Sequence, residues 1–265
     1  MNKISIDNGN KTLNSPEEPY IKPKQSANSL FKFVRKPEHL DFILKNMAII
    51  PRYNIEDIKY LNIGMNEIAY PMVCFCDLNL HRISPHIDFY GCYGIAFSKE
   101  WGIKNRFQPL QYINPNSDLV SDYSEAFRFA IKDTSDSEIL QNYIQTQMYF
   151  LKPISGQMNV NGDIKIKNFT DECEWRYIPN LNETDFPGAI TEDNFYSIGR
   201  LNSALTKEQR SWIKFEPEDI KYIIIKTHDE LQNIISIFKS NNLEDDQIYN
   251  LVSKIIIWTD AEEDF

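Results

Sequence analysis

Six short runs of apolar, β-branched or aromatic residues constrain this chain most. They lie near 30–34, 72–76, 94–97, 174–178, 220–226 and 255–258, and the sharpest is Ile220-Lys221-Tyr222-Ile223-Ile224-Ile225. Such side chains pack well on a pleated surface and lose rotamer freedom in a helix. Each run is expected to be a strand, and all six to share one sheet system. Helical spacing occupies the rest. Pro37 opens a helix that ends near Asn46, with Leu40, Ile43 and Leu44 on one face. Ser84-Pro85 starts a short helix carrying His86, with Ser84 as its N-cap, and Ser98 begins another. From Asp118 to Leu151 the pattern reads as two antiparallel helices, the second capped by Ser137. Further helices are expected at about 229–239 and 244–253, and residues 180–206 read as loop or short turns. Strands and helices do not alternate as βαβ units. The fold class is therefore α+β: a mixed central sheet with a helical insertion at about 118–152.

The chain has 265 residues, enough for one large domain, here placed at 29–265. Residues 1–28 are rich in Asn, Ser, Pro, Lys and Glu and read as a flexible N-terminal tail. The formal net charge of −10 argues against nonspecific binding to duplex DNA. No run of eighteen apolar residues is present, so no membrane span is expected. The first 29 residues hold no apolar core of a secretory signal, which points to the cytoplasm. Cys74, Cys76, Cys92 and Cys173 show no zinc-like spacing; all four read as structural, with Cys74 and Cys76 both directed to the core from one strand. No metal site is expected.

The stretch Asp171-Glu172-Cys173-Glu174-Trp175-Arg176-Tyr177 carries the densest chemistry. Read as a strand, it puts Glu172, Glu174 and Arg176 on one face and Cys173, Trp175 and Tyr177 on the other. Adjacent carboxylates repel, which tends to raise one pKa, and a bidentate arginine can offset the repulsion. Two readings stand. One is an ion-paired edge strand, which the residue chemistry alone favours. The other is a carboxylate pair in a cleft, serving as base or as stabiliser of a cationic transition state.

Several segments, in order, resemble the AbiGi abortive-infection family of bacteria. They are Ser26-Ala27-Asn28-Ser29-Leu30-Phe31-Lys32-Phe33, Pro51-Arg52-Tyr53-Asn54-Ile55-Glu56-Asp57, Met72-Val73-Cys74-Phe75-Cys76-Asp77-Leu78, His86 through Tyr90-Gly91-Cys92-Tyr93-Gly94-Ile95, Trp101-Gly102, Glu172-Cys173-Glu174-Trp175-Arg176 and Glu263-Asp264-Phe265. The resemblance covers nearly everything after residue 26. It implies a phage-resistance protein, the antitoxin or regulatory member of a two-gene toxin–antitoxin system, with a partner protein encoded nearby.

A more remote resemblance is to ADP-ribosyltransferases, which share a short Leu-Phe-x-Phe strand, a helix and a late Glu-x-Glu strand. It implies an ADP-ribosyltransferase-like core and, if the chain is an enzyme, NAD as cofactor. Glu174 would then stabilise the oxocarbenium-like ribose and Glu172 would orient the acceptor. The first-strand position that usually holds a His or Arg is Lys32 here, with Arg35 nearby, and lysine lacks the planar fork of arginine. A third reading is a noncatalytic nucleotide-binding module.

His86 precedes the aromatic stretch Phe89-Tyr90-Gly91-Cys92-Tyr93 and either contacts a ligand or fills the fold; the latter is favoured. Arg176 could serve a ligand from the Glu174 strand. Arg52-Tyr53 reads as an exposed pair in an extended segment. There is no G-x-G-x-x-G loop, P-loop, G-x-S-x-G or H-E-x-x-H. Glu262-Glu263-Asp264 reads as a solvated acidic tail.

Overall fold

A computed structural model describes residues 20–132, 138–160, 163–181 and 184–264. Most of the expected tail (1–19) and the Ser137 cap lie outside these residues. The main sheet contains nine strands. They are β1 (Leu30–Val34), β2 (Arg52–Asp57), β3 (Glu67–Asp77), β4 (Tyr93–Phe97), β5 (Gln108–Pro109), β6 (Glu174–Tyr177), β7 (Ile190–Thr191), β8 (Ile220–Ile225) and β9 (Ile255–Ile257). The path is β9-β8-β4-β1-β3-β6-β5, with β2 and β7 also paired to β3. All six expected strands fall in this sheet, and it is mixed: β8 and β9 pair in parallel, the others antiparallel.

The helices are α1 (Pro37–Asn46), α2 (Ser84–Tyr90), α3 (Lys99–Lys104), α4 (Asp118–Lys132), α5 (Glu138–Phe150), α6 (Ile198–Leu205), α7 (Leu231–Ser240), α8 (Asp245–Val252) and α9 (Trp258–Ala261). Buried side chains of α1, α7 and α8 share one core with Leu30, Val73, Phe75, Ile95 and Ile223. Phe31, Cys76, Ala96 and Ile224 belong to a second core with Trp258. The alternation along each strand thus sends consecutive residues to different cores. Tyr123 and Ala130 of α4 and Ile144 and Met148 of α5 pack on Ile68, Tyr70 and Met72 of β3.

Several expectations need correction. Residues 180–206 are not only loop: α6 forms there, its Leu205 buried against Tyr53, Ala69 and Ile190. Tyr53 is buried, not an exposed partner of Arg52, because its hydroxyl donates to the Pro187 carbonyl and its amide to Asn202 Oδ1. Ser84 is the first residue of α2 rather than its side-chain cap. Ser98 does cap α3, its hydroxyl accepting from the Trp101 amide at 3.1 Å. One crossover departs from the expected lack of alternation: β8 reaches its parallel partner β9 through α7 and α8. The chain continues past β9 into α9, which takes Trp258 from the expected 255–258 strand.

The spine of the site is β3. β2 pairs with it from Glu67 to Met72, and β1 joins it only at Cys76 and Asp77. Among the described strands, only β6 pairs with residues 74 and 75. One edge of β3 is left open there, and a cavity of about 390 Å³ occupies the opening.

Candidate functional site

The cavity is lined by residues of β1 (Phe31, Lys32, Phe33), β2 (Asn54, Ile55, Glu56) and β3 (Met72, Cys74, Phe75, Cys76). His86 and Tyr90 of α2, with Lys152, Met158, Glu172 and Glu174, complete it. Four of the six residues singled out from sequence therefore meet at one opening: Lys32, His86, Glu172 and Glu174. Arg176 lies beneath it, and Arg35 does not line it; the Arg35 side chain is exposed and donates to the Phe89 carbonyl at 3.4 Å.

The two carboxylates reach the cavity from different elements. Glu174 opens β6 opposite Cys76, which in turn faces Phe31 across the sheet. Glu172 is not on that strand. It ends a 3₁₀ turn (Phe169–Glu172), and Cys173 then takes a left-handed φ of 43°. That residue breaks the period of two, so Cys173 is exposed instead of facing the core with Trp175 and Tyr177. Glu174 and Arg176 retain the shared face expected of a strand. β6 is interior and flanked on both sides, not an edge strand.

Lysine 152 joins the pair. It follows α5 in the short strand Leu151–Pro153, and its ammonium donates to Glu172 Oε2 at 2.7 Å and Glu174 Oε2 at 2.6 Å. Glu174 Oε1 accepts from Arg176 Nε at 2.8 Å, and Arg176 Nη2 lies 2.7 Å from the same oxygen in ion-pair contact without a hydrogen bond. Arginine thus holds one carboxylate oxygen with two nitrogens and leaves the other for Lys152, which differs from the expected two-oxygen fork. Arg176 Nη1 donates to the Tyr70 hydroxyl at 2.5 Å and the Tyr149 carbonyl at 2.8 Å, while Nη2 lies 3.4 Å from Glu56. Glu172 Oε1 accepts from Tyr90 and pairs with Lys167 at 2.9 Å. Lys167 projects from the hairpin Ser155–Val160/Asp163–Asn168 and lies over the Phe89 and Tyr90 rings.

All four carboxylate oxygens are therefore occupied. Arg176 is 0 % exposed, Glu172 4 % and Glu174 5 %. Burial alone would push the Glu174 carboxyl up, but Arg176 and then Lys152 reverse this and hold it at about 2. Glu172 is also lowered: burial opposes ionisation, and Lys152 and Lys167 overcome it. Both are carboxylates at neutral pH. Neither can act as a general acid there, and each is a weak base.

Two cavity-lining groups contrast with this network. Among the described residues, the Lys32 ammonium makes no hydrogen bond or ion pair. Its pKa is lowered by burial, against smaller raising contributions from Cys74 and Glu174. The His86 ring likewise has no hydrogen-bond partner among the described residues. It is 6 % exposed and lies beside Phe33 and Tyr90, with centroids 6.2 Å and 5.3 Å away. Burial, then Lys167, lowers its pKa to about 4, so it is neutral at pH 7. Cys74 and Cys76 line the cavity, a correction to the purely core placement, and burial raises both thiols. They are protonated and poor nucleophiles.

Lys152, Lys167, Tyr90 and Glu56 were not legible as site residues. They lie far from Glu172 and Glu174 in sequence or in unremarkable contexts; only the isolated lysine in Leu151-Lys152-Pro153, after an apolar helix, offered a hint. Among the described residues there is no group of three or more His, Cys, Asp or Glu able to hold a metal ion. Nor is any helix of these residues long and apolar enough to cross a membrane.

Residues 47–226 match the family model described as an abortive phage resistance protein, AbiGi, antitoxin. The chain is 31% identical over 255 residues to the abortive phage resistance protein AbiGi of Lactococcus lactis subsp. cremoris. That match covers 83% of this chain and 100% of the relative. No solved structure matches the chain. By the span of the family match and the extent of this identity, the chain belongs to the AbiGi family of abortive phage resistance proteins.

Proposed function

We propose that this chain is the regulatory, antitoxin member of a two-gene abortive-infection system, acting in the cytoplasm on a partner protein encoded beside it. The family description carries the word antitoxin, which supports the partner role. The observation that weighs most is the occupancy of Glu174: Arg176 holds one carboxylate oxygen and Lys152 the other. A carboxylate that stabilises a cationic sugar must offer an oxygen to the developing charge. Here both oxygens are committed to cations, and the group behaves as a structural anion. Net charge and the absence of a recognised DNA-binding motif favour a protein partner over duplex DNA.

Growth measurements test the reading. The adjacent gene expressed alone should arrest growth, and co-expression of this chain should restore it. Growth arrest by this chain expressed alone would overturn it.

A second reading is an ADP-ribosyltransferase-like core that cleaves NAD. One observation favours it: Lys32 of β1 and Glu174 of β6 line one cavity from strands on either side of β3. In that reading Glu172, His86, Arg176 and Arg35 would serve the substrate, although the last two do not line the cavity. Purified protein incubated with NAD should release no nicotinamide if the regulatory reading holds. Turnover would establish the enzyme.

A further inference from the structure

We propose that the cavity between β1, β2 and β3 binds a nucleoside monophosphate, with the phosphate on the Lys32 ammonium and the base against Phe33, His86 and Tyr90. The proposal goes beyond the regulatory reading and does not depend on it.

Charge is the first argument. Lys32, Lys152, Lys167 and Arg176 surround three carboxylates, Glu56, Glu172 and Glu174. Lys152, Lys167 and Arg176 are paired to those carboxylates. Lys32 is the remaining cation and has no partner among the described residues. In a chain of net charge −10, the site carries four cations against three carboxylates. Lys32 is half-buried and has no counter-ion among the described residues, so an anionic ligand can pair with it without displacing an existing partner. Its lowered pKa agrees with an amine left without an anion.

Shape is the second. The volume, about 390 Å³, sits near the lower end of the ~300–1,000 Å³ range for small-molecule sites, which suits a mononucleotide better than a dinucleotide. Hydrogen bonding is the third. A neutral His86 ring, almost fully buried and without a partner, can donate from one nitrogen and accept at the other. Phe33 and Tyr90 flank it and offer aromatic surface, on which bases stack independently of sequence. Carboxylates that would repel a phosphate face the same space, but each is already neutralised by a cation.

Isothermal titration calorimetry on the intact chain tests this with the four common 5′-nucleoside monophosphates, the matching nucleosides, inorganic phosphate and NAD. At least one monophosphate should saturate the protein with Kd below about 1 mM, and its nucleoside should bind at least about tenfold more weakly. Lys32→Met should cost about tenfold or more in affinity, without lowering the Tm of the free protein, because it removes an unpaired charge. His86→Phe should weaken the monophosphate several-fold. Absence of binding by every monophosphate would overturn the proposal. So would equal affinity for nucleoside and monophosphate, unchanged binding by Lys32→Met, or tighter binding of NAD. The nucleoside comparison uses the unaltered chain, so it decides the matter even if a variant fails to fold.

Discussion

Replacing Glu174 with Gln is the obvious probe of catalysis, and a near-isosteric change of this kind would ordinarily leave a fold intact. The structure predicts otherwise. Glu174 is the anion for a guanidinium that is 0 % exposed and for Lys152. Glutamine keeps one carbonyl oxygen for Arg176 but no charge, and its amide presents donors to Lys152. Arg176 then retains Tyr70, Tyr149 and a 3.4 Å approach to Glu56. Removing one partner of a buried pair costs about 3–5 kcal/mol, and the remaining contacts place this case near 3. With a total stability of about 5–15 kcal/mol, that is a large fraction. Urea unfolding at pH 7, followed by tryptophan fluorescence, should show the midpoint falling by about 1 M or more at unchanged slope. Adding Arg176→Met should recover part of the loss, with a coupling of at least about 2 kcal/mol. A change below about 1 kcal/mol would refute the reasoning and return Glu174 to the candidates for catalysis.

Acid should destabilise the protein in two windows. His86 has a lowered pKa, near 4 against 6.5, so the unfolded state takes up its proton first and stability falls as pH drops from about 6.5 to 4; at 1.36 kcal/mol per unit the loss approaches about 3 kcal/mol, and His86→Phe should remove that slope in urea titrations. Glu174 has a lowered pKa too, so its contribution is complete above about 4.5 and disappears as pH falls towards 2. Lys167→Met should loosen the 155–168 hairpin, seen as faster amide exchange there, while global stability falls by only about 1 kcal/mol because Lys152 still holds Glu172. Gly91→Ala should cost roughly 1–3 kcal/mol in thermal unfolding, because Gly91 has φ 107° and an added Cβ would lie 2.5 Å from the Arg35 Cα.

The sequence by itself determined the elements whose signals are local. β-branched runs and helical spacing place six sheet strands and helices such as α1, α7 and α8, because side-chain period and propensity act within a few residues. It also brought Glu172, Glu174, Lys32 and His86 forward as candidates. Local signals failed at Cys173, where one left-handed residue moves Glu172 off the strand, and at 198–205, where tertiary packing of Leu205 stabilises a short helix. Only the tertiary structure decided what the carboxylates do. Their charges are set by Lys152, Lys167 and Arg176, and two of these arrive from elements with no sequence relation to the Glu-x-Glu motif. Coulombic interaction depends on distance in space, and in a buried site it outweighs the burial that would otherwise neutralise the pair. The same assembly leaves Lys32 unmatched among the described residues, a property that no residue of the sequence carries alone.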